Sequence, residues 1–181
     1  MFTQLTPPAS EPVSLAVMKA YLRVDIADDD VLISALISAA RRFAENHTGR
    51  IIAQRDFRID ASTFGDGILP LSPVSSVASV KYLDASKTLQ TLTGLDFCPH
   101  PLSPQLFSPV AGWPVPTKAW NAVQITCTAG MNPVPEDIQN WIMLRVATAY
   151  EQRSAVIDLK TTELGRSFVD GLLDAYCVVT I

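Results

Sequence analysis

The chain has 181 residues, 48% of them hydrophobic, and a net charge of −4, which is typical of a single globular domain without a basic surface for binding along a phosphate backbone. No apolar run reaches the ~20 residues that span a bilayer, and the first residues lack the charged start and apolar core of a signal peptide. The three cysteines, Cys98, Cys127 and Cys177, are widely spaced and odd in number, which does not resemble a disulfide framework and favours synthesis in a reducing cytosol.

The first 30 residues predict an extended arm followed by a short helix. Residues 1–13 contain three prolines, so we expect an arm without a helix. Ser14 is the predicted N-cap of a helix from Leu15 to Leu22, whose apolar residues recur at helical spacing. A triplet of aspartates follows. Asp29 or Asp30 is expected to cap the next helix, and the negative charge of its carboxylate should interact favourably with the positive end of the helix dipole.

That next helix is long and carries apolar residues over an unusually wide arc. It is predicted to end at Gly49, in the left-handed conformation that glycine reaches most easily. A surface helix of a monomer has an apolar stripe a little over about 100° wide, whereas here the polar residues take only about a third of the circumference. We expect this helix to be covered on two sides, within the monomer or by a neighbouring subunit. One arc comprises Val31, Leu32, Ala35, Leu36, Ala39 and Phe43, the second comprises Ile33, Ile37, Ala40 and Ala44, and the polar set is Ser34, Ser38, Arg41 and Glu45.

Residues 51–130 change to the alternating pattern of strands and predict an inserted antiparallel β unit. A polar turn at 84–87 is expected to join two of its strands as a hairpin. Residues 99–117 are rich in proline and predict a loop flanked by Trp113 and Trp120, for which an interaction site and simple loop packing carry equal weight. The predicted strands are 51–59, 74–83, 88–93, 95–98 and 122–128, with short candidates at 68–71 and 106–107.

The C-terminal part predicts one long helix, one short helix and an apolar tail. Pro135 suits the first turn of a helix that runs to about 153. Its predicted core stripe comprises Ile138, Ile142, Val146, Ala149 and Tyr150, with Trp141 and Leu144 on the other side as a second contact surface. Ser167 is the predicted cap of a short helix that ends at Ala175, and the tail 176–181 is expected to add a strand or to dock on a partner.

Together these elements predict an α+β fold in a single domain, 1–181. A helical hairpin at 14–50 and the C-terminal helices at 134–175 form a small helical bundle. The antiparallel β unit at 51–130 is inserted between them. The extended arm and the apolar tail lie at the two ends of the sequence.

Few residues in the sequence point to chemistry. His47 and His100 have no cysteine or carboxylate at a metal-ligand spacing, and His47 is expected near a helix end as a capping residue. The aspartates at 28–30 do not match a calcium-binding loop, and Gly65–Gly67 lacks the pattern of a phosphate loop. No nucleophile elbow is present. We therefore predict no catalytic, cofactor or metal site, and no enzyme.

The order of these features resembles the head–tail connector, or adaptor, proteins of long-tailed bacteriophages and prophages, in the variant with a β-rich insertion. The first matching block, a short helix, an acidic turn and a long helix ending in T-G-R, is the most specific. The four matching blocks are SLAVMKAYLRVDIADDDVLISALISAARRFAENHTGR at 14–50, LPLSPVSSVASVKYLDASKTLQTL at 69–92, AVQITCTAGM at 122–131 and VPEDIQNWIMLRVATAYEQRSAV at 134–156.

This resemblance implies a structural protein of the virion neck, made in the host cytoplasm. Such a protein forms a ring, usually a dodecamer, beneath the portal protein and extends the DNA channel. It offers a platform to the next neck or tail protein, and DNA passes without specific binding; no membrane or cofactor is implied. The candidate subunit or partner interface consists of Ile33, Ile37, Ala40, Ala44, Trp141, Leu144, Tyr176, Val178, Val179 and Ile181.

Three alternatives remain open at this stage. One is another neck component, such as a stopper or a tail-completion protein. A second is a small metal-dependent hydrolase or nucleotide-handling enzyme that uses the acidic residues. The third is a nucleic-acid-binding regulator with a helical core, against which the net charge of −4 argues.

Overall fold

The computed structural model describes residues 1–109, 112–152 and 171–178. The chain divides into two compact units. The β unit comprises residues 1–9 and 54–132, and the helical unit comprises residues 10–53 together with the described residues after 132. This arrangement confirms the predicted α+β class, with an antiparallel sheet inserted between helical segments.

The β unit contains a five-stranded antiparallel sheet and a separate two-stranded one. The five strands lie in the order β1-β2-β7-β3-β4, and β5 pairs with β6. The polar turn after β3 has the predicted hairpin geometry, because the Asp84 N–H donates to the Thr88 carbonyl over 3.0 Å. The strands are β1 (Phe2–Gln4), β2 (Arg55–Ala61), β3 (Val74–Leu83), β4 (Leu89–Leu92), β5 (Asp96–Cys98), β6 (Gln105–Phe107) and β7 (Val123–Ala129).

The central strand β7 explains how this sheet forms its core. Every second residue of β7 is buried and the residues between them are half-buried, which is the period of a strand with one core face. Across the β2–β7 ladder, Phe57 lies opposite Cys127 and Ile59 opposite Ile125. Burial raises the pKa of the Cys127 thiol to about 11, and the Asp56 carboxylate adds to the rise, so this thiol stays protonated at neutral pH.

The predicted N-terminal arm is partly a strand of this sheet. Phe2 pairs with Ile59 in the β1–β2 register, and its ring contacts Phe57 edge-on at 6.0 Å between centroids. The Leu5 N–H continues the pairing by donating to the Asp56 carbonyl over 2.8 Å. Residues 2–4 therefore form the edge strand of the sheet.

In the described residues of the helical unit, the first three predicted helices are present. They are α1 (Leu15–Leu22), α2 (Asp30–Thr48) and α3 (Glu136–Glu151). Residues 171–174 are also helical, whereas the predicted cap at Ser167 lies outside the described residues. Gly49 ends α2 with a left-handed φ of 69°, as predicted. Among the described residues, no helix combines the length and the apolarity that crossing a membrane requires.

The aspartates before α2 act differently from the prediction. Asp29 occupies the N-cap position, but its side chain makes no capping hydrogen bond; it accepts one from the Tyr150 hydroxyl instead. The Asp30 carboxylate forms an ion pair with the Lys19 ammonium at 2.6 Å. These side chains therefore link α2 to α3 and to α1 rather than closing its own first turn.

Two members of the polar set of α2, Arg41 and Glu45, lie in a buried polar network. The Arg41 guanidinium lies 2.7 Å from the Glu11 carboxylate and 2.8 Å from the Glu45 carboxylate, and both Arg41 and Glu45 are buried. The other Glu45 oxygen accepts the backbone N–H groups of Ile52 and Ala53 over 3.0 and 3.3 Å. Because residues 52 and 53 bond to this side chain, β2 begins at 55 rather than at the predicted 51.

The N-cap of α1 supports a first prediction. The Ser14 hydroxyl accepts the Val17 N–H over 3.3 Å, as the sequence predicted. Ser14→Ala should lower the free energy of unfolding by about 1 kcal/mol, because a first-turn N–H loses its acceptor. Urea denaturation measures this loss. The control is Ser38→Ala, within α2, where alanine favours the helix and no loss is expected; equal stability of the two variants would contradict the capping role.

Candidate interaction surface

The second arc of α2, predicted as an interface, lies in the core. Ile33, Ile37, Ala40 and Ala44 are all buried within one copy of the chain, and Trp141 of α3 is 1% exposed. The helix α2 packs against α1 and α3, and this packing covers these side chains. The prediction that they form an exposed patch is therefore wrong. Trp141, rather than the exposed Ala149, completes the buried stripe of α3.

The first arc of α2 faces outward. Val31 is 83% exposed and Phe43 is 47% exposed. Ala35 and Ala39 between them are exposed, and Leu36 is half-buried. We call this surface the α2 stripe; its members are Val31, Leu32, Ala35, Leu36, Ala39 and Phe43.

Polar residues lie on the buried face of α2. Buried residues on α2 recur at the spacing of one helix face, and this face includes Arg41, Glu45 and Thr48. Arg41 and Glu45 belong to the polar set defined from the sequence, and polar residues of a helix usually face solvent. In the structure, ion pairing satisfies Arg41 and Glu45, and the Thr48 hydroxyl donates to the Ala44 carbonyl over 2.7 Å. The core face of α2 is thus partly polar, and an apolar face is left exposed.

Phe43 is the aromatic residue of the α2 stripe, and three side chains surround its ring. Its ring stacks on Trp141 with centroids 5.6 Å apart and on His47 with centroids 6.3 Å apart. The Arg145 guanidinium lies 5.4 Å from the ring centroid, which is within the range of a cation–π contact. These neighbours fix the orientation of the ring while about half of its surface stays accessible, as expected of an aromatic anchor at an interface.

The remaining predicted interface residues have mixed environments. Leu144 is half-buried. Tyr176 is also half-buried, and its hydroxyl donates to the Asp137 carboxylate over 3.3 Å; burial raises the pKa of Tyr176, and the Asp137 charge adds to the rise. Val178 is exposed, and its N–H donates to the Thr48 carbonyl over 2.9 Å, which places residue 178 against the C-terminal end of α2. Val179 and Ile181 lie outside the described residues.

The β unit carries a second exposed apolar surface, around Trp120. Trp113 stacks on Phe64 with ring centroids 4.6 Å apart, so its role is loop packing. Trp120, in contrast, is 67% exposed and Val115 is 89% exposed. Both line an open cavity of about 450 Å³, which we call the Trp120 groove; its lining residues are Ser62, Thr63, Val115, Pro116, Thr117, Lys118, Ala119 and Trp120.

The structure brings together one cluster of potential metal ligands that the sequence did not predict. His47, Asp174 and Cys177 offer donor atoms that lie within 4.8 Å of one another. His47 and Cys177 are 130 residues apart in sequence, so no local spacing could have revealed the cluster. The sequence predicted His47 only as a capping residue.

The comparisons with known proteins agree with the resemblance seen in the sequence. Residues 12–83 match the model of a family described as phage gp6-like head–tail connector protein. This match, over less than half of the chain, confirms the predicted resemblance to head–tail connector proteins. No curated protein sequence matches the chain.

Solved structures share the fold over the whole chain. The neck of an empty gene transfer agent (GTA) particle, determined with C6 symmetry, contains a chain with a TM-score of 0.81 and 23% identity. A chain of the native GTA virion has a TM-score of 0.81 and 22% identity, and one of the native GTA neck, determined with C12 symmetry, has 0.75 and 22%. Each match covers 100% of this chain and 97% of the other.

Proposed function

We propose that this protein forms a ring, a dodecamer in the virion, that lies beneath the portal protein and joins head to tail. The ring extends the DNA channel and offers a platform to the next neck or tail protein. The connector family match over 12–83 and the neck structures with C6 and C12 symmetry support this function. The protein acts without catalysis or cofactor and is made in the host cytoplasm.

The exposed α2 stripe is the observation that carries the proposal. A ring with rotational symmetry uses a heterologous interface, in which two different patches of each subunit meet. The α2 stripe on the helical unit and the Trp120 groove on the β unit are two such patches, and both expose large apolar side chains. A second copy of the chain is the occupant that we propose for each of them, with Leu144, Tyr176 and the tail from Val178 onward as further contacts.

The charge of the protein is consistent with a DNA channel. The net charge of −4 and the pI near 5.0 disfavour attraction to phosphates. DNA therefore passes through the ring without specific binding. A stopper or tail-completion protein would share the neck location but would not bind the portal.

Val31→Asp tests the interface directly. Because Val31 is 83% exposed, the substitution should change the free energy of unfolding by no more than about 0.5 kcal/mol. It should nevertheless abolish rings on the portal, because a carboxylate would be buried without a partner in the subunit contact. Mass photometry of the portal with the purified variant measures the number of copies bound. Ile37→Asp is unsuitable for this purpose, because Ile37 is a core residue.

Ser34→Asp is the matched control, since it adds the same charge at an exposed position of α2 outside the stripe; rings should persist. In a mixture of the two variants, the intact Trp120 groove of Val31→Asp can still bind the intact α2 stripe of Trp120→Ser. This gives at most one junction per pair, and hence dimers but no rings. Full rings formed by Val31→Asp alone would refute the assignment of the α2 stripe.

A further inference from the structure

We propose that His47, Asp174 and Cys177 form a zinc site that fastens the C-terminal segment to the end of α2. One imidazole nitrogen, one carboxylate oxygen and the thiol sulfur lie within 4.8 Å of one another. In tetrahedral zinc sites with ligand bonds of about 2.0–2.3 Å, neighbouring donor atoms are about 3.3–3.8 Å apart. Small rotations of the three side chains therefore bring the donors to ligand distance. His47 and Asp174 are exposed and Cys177 is half-buried, so an ion has access from solvent.

The donor set favours zinc over magnesium and calcium. Nitrogen, oxygen and sulfur donors together suit a cation of intermediate softness, and all three occur in protein zinc sites. Magnesium and calcium are hard cations that take oxygen ligands, and this cluster supplies only one carboxylate. Three protein ligands leave the fourth tetrahedral position to water.

Contacts around the cluster hold the two segments in place without the ion. The Val178 N–H donates to the Thr48 carbonyl over 2.9 Å. The Cys177 thiol lies 3.7 Å from the His47 carbonyl oxygen and 3.5 Å from that of Leu173. The His47 ring is nearly parallel to the Phe43 ring, with an interplanar angle of 12°. The scaffold therefore places the donors before a metal binds, which lowers the entropy cost of forming the site.

Zinc binding at this cluster is an acid–base step without electron transfer. The Cys177 S–H bond breaks, its proton passes to solvent, and the thiolate forms the S–Zn bond. The bound ion then cross-links α2 to the segment at 174–177, beside Phe43 of the α2 stripe. Zinc would thus hold residues 174–178 against the C-terminal end of α2.

Calorimetric titration of the purified full chain with zinc chloride tests this site. In two buffers of different ionisation enthalpy, we expect one zinc ion per chain and release of about one proton from the thiol. His47→Ala and Cys177→Ser should each weaken zinc binding by at least about tenfold, because each removes a ligand. Magnesium chloride should give no saturable heat.

The chain offers matched controls for both ligand types. His100→Ala removes the other histidine and Cys98→Ser removes the other accessible cysteine; both variants should keep the zinc affinity of the parent. Cobalt(II) should give a thiolate-to-metal absorption band that Cys177→Ser abolishes and Cys98→Ser retains. Circular dichroism confirms folding, and Asp174→Asn replaces any ligand variant that fails to fold. Absence of saturable zinc binding, or unchanged affinity in the ligand variants, would overturn the proposal.

Discussion

Replacing Glu45 with alanine should lower the free energy of unfolding of the helical unit by about 3–5 kcal/mol, the range found when one partner of a buried ion pair is removed. The Arg41 guanidinium, whose side chain is only 5% exposed, would lose the buried carboxylate that lies 2.8 Å away and keep only that of the more exposed Glu11, at 2.7 Å. The backbone N–H groups of Ile52 and Ala53 would lose their acceptor as well. Each buried donor left without an acceptor costs about 1–3 kcal/mol, which places this substitution among the most damaging in the chain.

Urea denaturation followed by far-ultraviolet circular dichroism measures this effect. Asn46→Ala is the matched control, because Asn46 is the next residue of α2 and is exposed; it should change stability by no more than about 0.5 kcal/mol. Arg41→Ala and Arg42→Ala form a second matched pair, because Arg41 is buried and Arg42 is exposed. Arg41→Ala should lower the free energy of unfolding, and Arg42→Ala should leave it nearly unchanged. If Glu45→Ala were as stable as Asn46→Ala, the network would not support the helical unit.

Gly67→Ala should destabilise the β unit by more than about 3 kcal/mol, beyond the ordinary range of single substitutions. Gly67 has a φ of +75°, and an added Cβ would lie 2.0 Å from the backbone oxygen of Leu106. A carbonyl oxygen cannot rotate away as a side chain can. The Leu106 N–H also donates to the Gly67 carbonyl over 2.9 Å, and Leu106 itself is buried. Relief of the clash therefore requires separating β6 from residue 67.

Gly65→Ala is the control that distinguishes the steric clash with Leu106 from the cost of a left-handed backbone conformation in alanine. Gly65 also has a positive φ, of +54°, but nothing lies within 4 Å of an added Cβ. Only the cost of a left-handed alanine remains, about 1 kcal/mol per residue. Thermal denaturation of both variants gives the difference. Equal losses for Gly65→Ala and Gly67→Ala would mean that the contact with Leu106 has no energetic role.

Local signals in the sequence were enough to predict most elements of the fold. The Ser14 cap, the left-handed Gly49 and the alternation of β7 each depend on a few neighbouring residues, and the structure has all three. The start of β2 was misplaced because a side chain decides it. The Glu45 carboxylate binds the backbone at 52 and 53, a contact that no local pattern encodes.

The candidate interface was harder to predict, because it depends on which of two apolar faces the fold covers. Arg41 and Glu45 are charged, and charged residues usually indicate the solvent-facing side of a helix. Their mutual ion pair nevertheless allows this side of α2 to be buried. Trp141 was assigned to an outer face of α3, but it stacks on Phe43 and is buried. The cluster at His47 was invisible for a related reason, since its partners come from a distant segment. These features are all tertiary, and sequence periodicity reports only local geometry.

The most direct test of the connector ring is electron cryomicroscopy of the purified protein incubated with the portal protein encoded in the same genome. We predict a closed ring of twelve copies on one face of the portal, with the α2 stripe of each copy covered by its neighbour. Single copies scattered on the portal, no binding to it at all, or a ring whose α2 stripe faces solvent would contradict this account.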